Sequence, residues 1–312
     1  MNLEKTQLDV VIVGTSTTNA ILSAALATSG RSVLHVDDQP HYGGNEATLS
    51  LDAFIDWAKT NPNVIETNGS ALDTPLPHAR DFGLDIAARP SLATSPLITA
   101  VIQSQVSHYL EFRMVSKVSV MAQDHVMRQV PLTKEQVFVD THLSLVEKRM
   151  LMKCLTWALD VDIEQEGDAL FVETIMTKFH LSKDLVQSIL YAMTLSLDSL
   201  DHVTLRDGLK HTRDFLSALN KYGSGAYMYP IYGFSEYSQA FCRRSAVFGG
   251  TFIMDQRFTL NTDTLSVQLD NGQTVTCDWL VLDQHYAPST TTTAYAQTLI
   301  VELESADEEF AV

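Results

Sequence analysis

LDVVIVGTSTTNAILSAALATSGRSVLHVDD, residues 8–38, decides the fold. The apolar run 8–13 has the length and composition of a strand buried on both faces, and Gly14 ends it. Residues 18–29 are rich in the helix formers alanine and leucine, Gly30 closes that helix, and 32–38 reads as a second apolar strand ending on acids. Strand, helix, strand in this order is a βαβ unit, the opening of a dinucleotide-binding α/β fold. In such a turn the first glycine permits the bend, the second lets the backbone approach a pyrophosphate, and the third lets helix pack on strand. Here Gly14 is followed by Thr15-Ser16-Thr17-Thr18-Asn19, so Ser16 and Asn19 stand where the second and third glycines belong. Asp37 stands where an acid would meet a ribose. Two readings are open: a flavin or nicotinamide site, or a scaffold that has lost its ligand. Two side chains where steric room is needed favour the second, and no cofactor is expected.

Outward from this unit, 60–80 is loop-like with scattered proline, asparagine and glycine, 97–112 has helical periodicity, and 115–130 alternates as short strands do. Leu143, Val146, Met150, Cys154 and Trp157 recur at three- and four-residue steps as one helical stripe. Further helices are expected over 168–179, 182–197 and 204–220, the last opened by Thr204 with Asp207 as a capping pair. Glycines return at 223, 225, 233, 249 and 250 among five tyrosines, followed by strands over 251–254, 264–269 and 274–283 with a hairpin turn at Asn271-Gly272. The TTTT run 290–293 reads as a polar loop and the ending as an acidic tail. The organisation is an α/β domain, 1–125 plus 221–312, interrupted by a helical domain, 126–220.

Across 312 residues, 45% hydrophobic and 19% charged, the chain has material for a globular core. A net charge of −17 speaks against a nucleic-acid partner, whose phosphates need lysine and arginine, and against docking on anionic lipid by charge alone. Cys154, Cys242 and Cys277 are odd in number and far apart, which suits buried thiols in a reducing compartment rather than disulfides or a metal set. The N-terminus runs straight into a strand without a signal sequence, and no apolar run reaches membrane-spanning length, so a cytoplasmic location is expected. The histidines, His35 and His41 included, form no ligand or catalytic spacing, and neither a nucleophile elbow nor a phosphate-binding loop is present. Catalysis is not expected.

SVLHVDDQPHYGGNEATLSL (32–51), LVEKRMLMKCLTWALD (145–160) and YMYPIYGFSEYSQAFCRRSAVFGGTF (227–252) resemble, in order, conserved regions of the Rab escort protein and Rab GDP-dissociation inhibitor superfamily. The resemblance implies a flavoprotein-like (FAD/NAD(P)-binding-like) large domain that uses no flavin and presents a platform to a GDP-bound Rab small GTPase. The helical insert would shelter the geranylgeranyl lipid. The superfamily's Rab-binding positions fall on Tyr42, Glu236, Arg243, Thr251 and Ile253. The bland alternatives are an i,i+7 ion pair for Glu236 and Arg243, and packing over its own glycine turn for Tyr42. Escort proteins also dock on Rab geranylgeranyl transferase through a phenylalanine and an arginine, which match Phe138 and Arg149. Dissociation inhibitors share the arginine but lack the phenylalanine. Phe138 is either that anchor or a staple holding a helix to its own core. Met150, Met152, Met176 and Met193 line either a lipid cavity or ordinary core.

The resemblance thus implies an escort protein that presents Rab for prenylation and then shields the lipid for membrane delivery, cytoplasmic with transient membrane association. Its alternatives are a dissociation inhibitor and a flavin-dependent oxidoreductase. Three departures stand out. The large domain looks truncated after DWLVLDQHYAPS (278–289) and AYAQTLIVELE (294–304), the insertion many escort proteins carry is reduced to 60–80, and Gly233-Phe234-Ser235-Glu236-Tyr237 replaces the usual GxGELP.

Overall fold

The computed structural model describes residues 3–60, 82–121, 127–163, 166–167, 169–195, 202–283 and 286. The TTTT run, the final apolar run and the acidic tail lie outside these, as does nearly all of the loop-like segment 60–80. In chain order the first elements are β1 (Gln7–Val13), α1 (Thr17–Thr28), β2 (Val33–Val36), β3 (Thr48–Ser50), α2 (Leu51–Thr60), β4 (Gly83–Asp85), β5 (Ser91–Leu92), α3 (Pro96–Gln103), β6 (Phe112–Val115), β7 (Ser119–Met121) and β8 (Met127–Gln129). Then come α4 (Lys134–Val139), α5 (Leu145–Asp160), α6 (Phe171–Phe179), α7 (Lys183–Thr194), α8 (Leu205–Ala218), β9 (Tyr227–Pro230), α9 (Glu236–Val247), β10 (Thr251–Ile253), β11 (Phe258–Asn261), β12 (Ser266–Leu269) and β13 (Thr274–Leu282).

The chain forms two compact units. One takes the described residues up to Arg89, Ala100–Phe112 and those from Pro230; the other takes Pro90–Thr99 and Arg113–Tyr229. Sequence reading set these changes of unit at 125/126 and 220/221; the backbone makes them at 112/113 and 229/230, with Pro90–Thr99 also in the second unit.

In the first unit the sheet order is β10-β2-β1-β13-β12-β11. The first four strands are parallel, with Val11 opposite both Leu34 and Leu280, and the last pairings are antiparallel. Val11, Val13, Leu34, Val36, Ile253, Val267 and Val275 make the core on one face, and Val10, Ile12, Ala27 and Val33 on the other. Each buried valine, leucine or isoleucine here contributes about 1.5–3 kcal/mol. α1 presents Thr17, Ala20, Ala24 and Ala27 inward, small residues that let α9 lie close. Two hydroxyl pairs hold the helices together, Thr17–Ser238 at 3.1 Å and Ser23–Ser245 at 2.8 Å. The hairpin at Asn271-Gly272 joins β12 to β13 as expected, with Gly272 in the left-handed region.

In the second unit α5 to α8 pack around Leu151, Cys154, Ile175, Leu190, Leu209 and Phe215. Thr204 caps α8, accepting from Asp207 N at 3.1 Å. Arg213 Nε donates to Ala158 O at 2.7 Å, setting a cation at the carbonyl end of α5. Two expectations fail. The helix of 97–112 stops at Gln103, because Gln105 adopts a left-handed φ of 58°, and the chain continues as a 3-10 turn, Val106–Tyr109, and then β6. The stripe on α5 is rotated: Leu151, Cys154 and Ala158 are buried, while Val146 is exposed near the start of the helix. Among the described residues no helix is long and apolar enough to cross a membrane.

Candidate functional site

The turn between β1 and α1 is the place where this fold would hold a dinucleotide, and the chain's own side chains fill it. Gly14 takes φ +89°, and a Cβ there would lie 2.6 Å from the Asp283 Cβ. The Thr15 N–H donates to Asp37 Oδ2 at 2.8 Å, and the Thr15 hydroxyl donates to the same oxygen at 2.7 Å. The Thr17 N–H donates to Glu46 Oε2 at 3.1 Å, and the other oxygen of Glu46 takes the Arg89 guanidinium. Two backbone donors at the mouth of α1, suited to an anion, thus carry carboxylates instead. Asn19 fills the helix–strand gap with its amide, donating to Val13 O at 3.1 Å and Gly14 O at 3.0 Å. Asp37 is 1% exposed, and its Oδ1 accepts from Gln39 N and the Tyr286 hydroxyl. A dinucleotide does not fit these residues: the ribose acid is consumed and the phosphate place is taken by Glu46.

His35 lies under this turn, fully buried, donating from Nε2 to Gly14 O at 2.7 Å. Burial holds its pKa below the usual histidine range, against the raising effects of the Gly14 carbonyl, Asp37 and Asp283.

Tyr42, Glu236 and Arg243 are brought together on one cavity of about 430 Å³, which Tyr109, Gln239, Cys242 and Phe252 also line. α9 places the acid and the arginine two turns apart on one face. The turn ahead of it is anchored despite its unusual sequence. Asp85 accepts from Phe234 N at 3.0 Å, and the Thr48 hydroxyl accepts from Ser235 N at 3.1 Å. Phe234 meets Tyr237 edge-on at 5.1 Å. Glu236 accepts from Tyr232 N at 3.3 Å; partial burial, then the nearby Glu111 carboxylate, push its pKa up. The Arg243 guanidinium lies 4.5 Å over the Tyr109 ring. Among the described residues the ion pair between Glu236 and Arg243 is not made, and neither group pairs with another charge. Tyr42 is half-buried and sits on a turn whose Gly43 N–H donates to both Thr15 O and the Thr15 hydroxyl at 3.1 Å. Gly43, at φ +105°, allows that approach.

Thr251 and Ile253 do not reach this cavity. Ile253 is buried in the sheet core, and alternation along β10 turns the intervening Phe252 toward the cavity instead. Sequence reading missed Phe252, although the period of two on a strand could have found it. It also missed Tyr109 and Glu46, which reach their partners only through tertiary folding.

Phe138 and Arg149 share a second groove of about 770 Å³ in the helical unit, lined also by Leu145, Met152 and Trp157. Phe138 is 72% exposed, which excludes the staple, while its neighbour Val137 is buried. Its position is fixed from three sides. Thr133 with Gln136 and Ser144 with Glu147 form capping boxes at the starts of α4 and α5, and Lys148 Nζ donates to Phe138 O at 2.9 Å. Among the described residues, the cavity between α5, α6, α7 and α8 holds about 20 Å³, room for one water. Of the four methionines singled out, Met193 alone lines it.

The scaffold is a flavoprotein-like α/β fold whose phosphate turn is closed by its own side chains, with Glu236 and Arg243 on one cavity and not paired with each other. The chain belongs to the GDP dissociation inhibitor family, whose profile matches residues 1–301. It is 30% identical over 284 residues to the Rab proteins geranylgeranyltransferase component A of Saccharomyces cerevisiae, covering 86% of this chain and 47% of that protein. It is likewise 30% identical to the Rab GDP-dissociation inhibitor of the same yeast, covering 80% and 56%. The chain spans about half the length of these relatives. A solved Rab GDI from Plasmodium falciparum superposes with a TM-score of 0.67 at 21% identity, over 90% of this chain and 66% of that one. An oxidoreductase from Methanosarcina mazei shares the fold at a TM-score of 0.56 and 12% identity, over 89% and 59%.

Proposed function

We propose that this chain binds a GDP-loaded Rab GTPase on the cavity of Tyr42, Glu236 and Arg243 and presents it to Rab geranylgeranyl transferase, acting by binding rather than catalysis. The observation that carries the reading is the cavity itself: Glu236 and Arg243 face it without engaging each other. A charged pair left unmade inside one molecule suits two charges supplied by another. The exposed Phe138 beside Arg149 supports the escort role over the dissociation-inhibitor role, which lacks that phenylalanine. Thr251, on the edge strand of the sheet but off this cavity, remains a candidate only through the family resemblance. The lipid would enter the cavity between α5, α6, α7 and α8 as those helices part, and the setting is the cytoplasm with transient visits to membranes.

The test is capture of GDP-loaded Rab by the full chain, wild type against Arg243→Ala. Loss of a central arginine is expected to weaken binding by about thirtyfold or more. Equal capture by the two proteins, or none by the wild type, would overturn the reading. A flavin band in the absorbance spectrum of the purified protein would overturn the account of the closed turn.

A further inference from the structure

We propose that Tyr109 is a positioning residue for the platform, holding the Arg243 guanidinium by its face so that its edge stays open to a carboxylate on the bound GTPase. The inference rests on the platform reading above and names a residue that reading does not contain. Tyr109 ends the 3-10 turn Val106–Tyr109, which is pinned by the fully buried Val106 on one side and the buried Leu110 on the other. Leu110 N closes the turn on Ser107 O at 3.3 Å. The same segment packs against α9, the helix that carries Arg243. The backbone at Tyr109 is therefore held between two buried neighbours, and its partly exposed ring lies 4.5 Å from the guanidinium carbon, inside the cation–π range of about 6 Å.

A guanidinium that rests its flat face on a ring keeps its N–H donors, which lie in the plane, for a planar acceptor. Among the described residues Arg243 has no hydrogen bond or ion pair that would use those donors. A free arginine surrenders its rotamers when a partner arrives; one already resting on Tyr109 has fewer to lose. Both residues line the same cavity, so the prepared fork faces the space a partner would fill.

A double-mutant cycle tests this with the full chain, GDP-loaded Rab and Kd as the readout, in wild type, Tyr109→Leu, Arg243→Ala and the double variant. Tyr109→Leu is expected to weaken binding about five- to tenfold when Arg243 is present and to change little when it is absent. Tyr109→Phe and Tyr109→Trp, which keep an aromatic face, should bind close to wild type, and their recovery separates positioning from a folding defect in the leucine variant. Equal losses from Tyr109→Leu in both backgrounds, or aromatic variants as weak as leucine, would overturn the inference while leaving the platform intact. Unchanged binding by Arg243→Ala would overturn the platform reading itself.

Discussion

Replacing Phe138 with alanine separates the two roles proposed for this chain, and the structure sets the size of the effect. At 72% exposure the ring makes almost no contribution to the core, so the variant should unfold within about 0.5 kcal/mol of wild type. The same exposure means that a partner pocket could cover roughly 100–150 Å² of aromatic surface. At about 25 cal/mol per Å² that is worth roughly 3 kcal/mol, or about a hundredfold in Kd. The groove adds Arg149 and Leu145 beside the ring, and the latter is 85% exposed. The assay is capture of Rab geranylgeranyl transferase by the chain bound to unprenylated Rab-GDP, with urea unfolding and Rab capture measured on the same preparations. Capture of the transferase should fall by between one and two orders of magnitude, with Rab binding and the urea midpoint unchanged. A loss below threefold would refute the anchor and remove the reason for preferring escort to dissociation inhibitor. A lowered midpoint would show that Phe138 supports its own helix after all.

Three further outcomes follow from the described geometry. Glu46→Ala removes the acceptor for Thr17 N–H and the partner of Arg89; a lost cap and a partly exposed ion pair together should cost about 1–2 kcal/mol in urea unfolding, and Glu46→Gln, which keeps an acceptor, should cost less. Cys154 and Cys242 are both pushed up to about 12 by burial, so neither should react with a thiol reagent at neutral pH until the protein unfolds; prompt labelling of the folded chain would contradict their placement. Because burial depresses the His35 pKa, the unfolded chain takes up its proton first, so stability should be intact above about pH 6.5 and fall below it, by at most about 1.4 kcal/mol per pH unit from this group. His35→Gln should flatten that slope between pH 6.5 and 5, and parallel slopes would show that the imidazole does not stay neutral.

What could be read from the sequence was local or periodic. The β1-α1-β2 unit announced itself because a buried parallel strand is an unbroken apolar run and Gly14 punctuates it. The Thr204 cap and the Asn271-Gly272 hairpin were legible because their chemistry lies within a few residues. The rest needed the third dimension. Nothing near Gln105 marks a left-handed break, so the apolar periodicity runs on to 112 although the helix stops at Gln103. The stripe on α5 was assigned from spacing alone, yet the start of that helix projects beyond the core, so its first apolar residues face solvent. β5, β9 and β11 escaped because two- and four-residue strands carry almost no pattern. Motif resemblance pointed to Tyr42, Glu236 and Arg243, which the fold sets on one cavity, but Tyr109 comes to Arg243 from 134 positions away, which is 243 less 109, and no spacing rule links them.

The closing of the nucleotide turn and the presentation of Tyr42 are one structural event. In a working dinucleotide turn the N–H groups at the mouth of the helix must stay free for phosphate. Here Thr15 serves Asp37 with its N–H and hydroxyl and receives the Gly43 N–H on its carbonyl and hydroxyl oxygens. Thr17 serves Glu46, three residues beyond Gly43. The turn that carries Tyr42 is therefore tied to the β1–α1 loop through Asp37, Gly43 and Glu46. Tyr42 thus stands on a braced turn rather than a free loop, and a braced aromatic loses less entropy when a partner covers it. The backbone donors of Thr15 and Thr17 that a dinucleotide's phosphates would need are thus the ones that brace the Tyr42 turn.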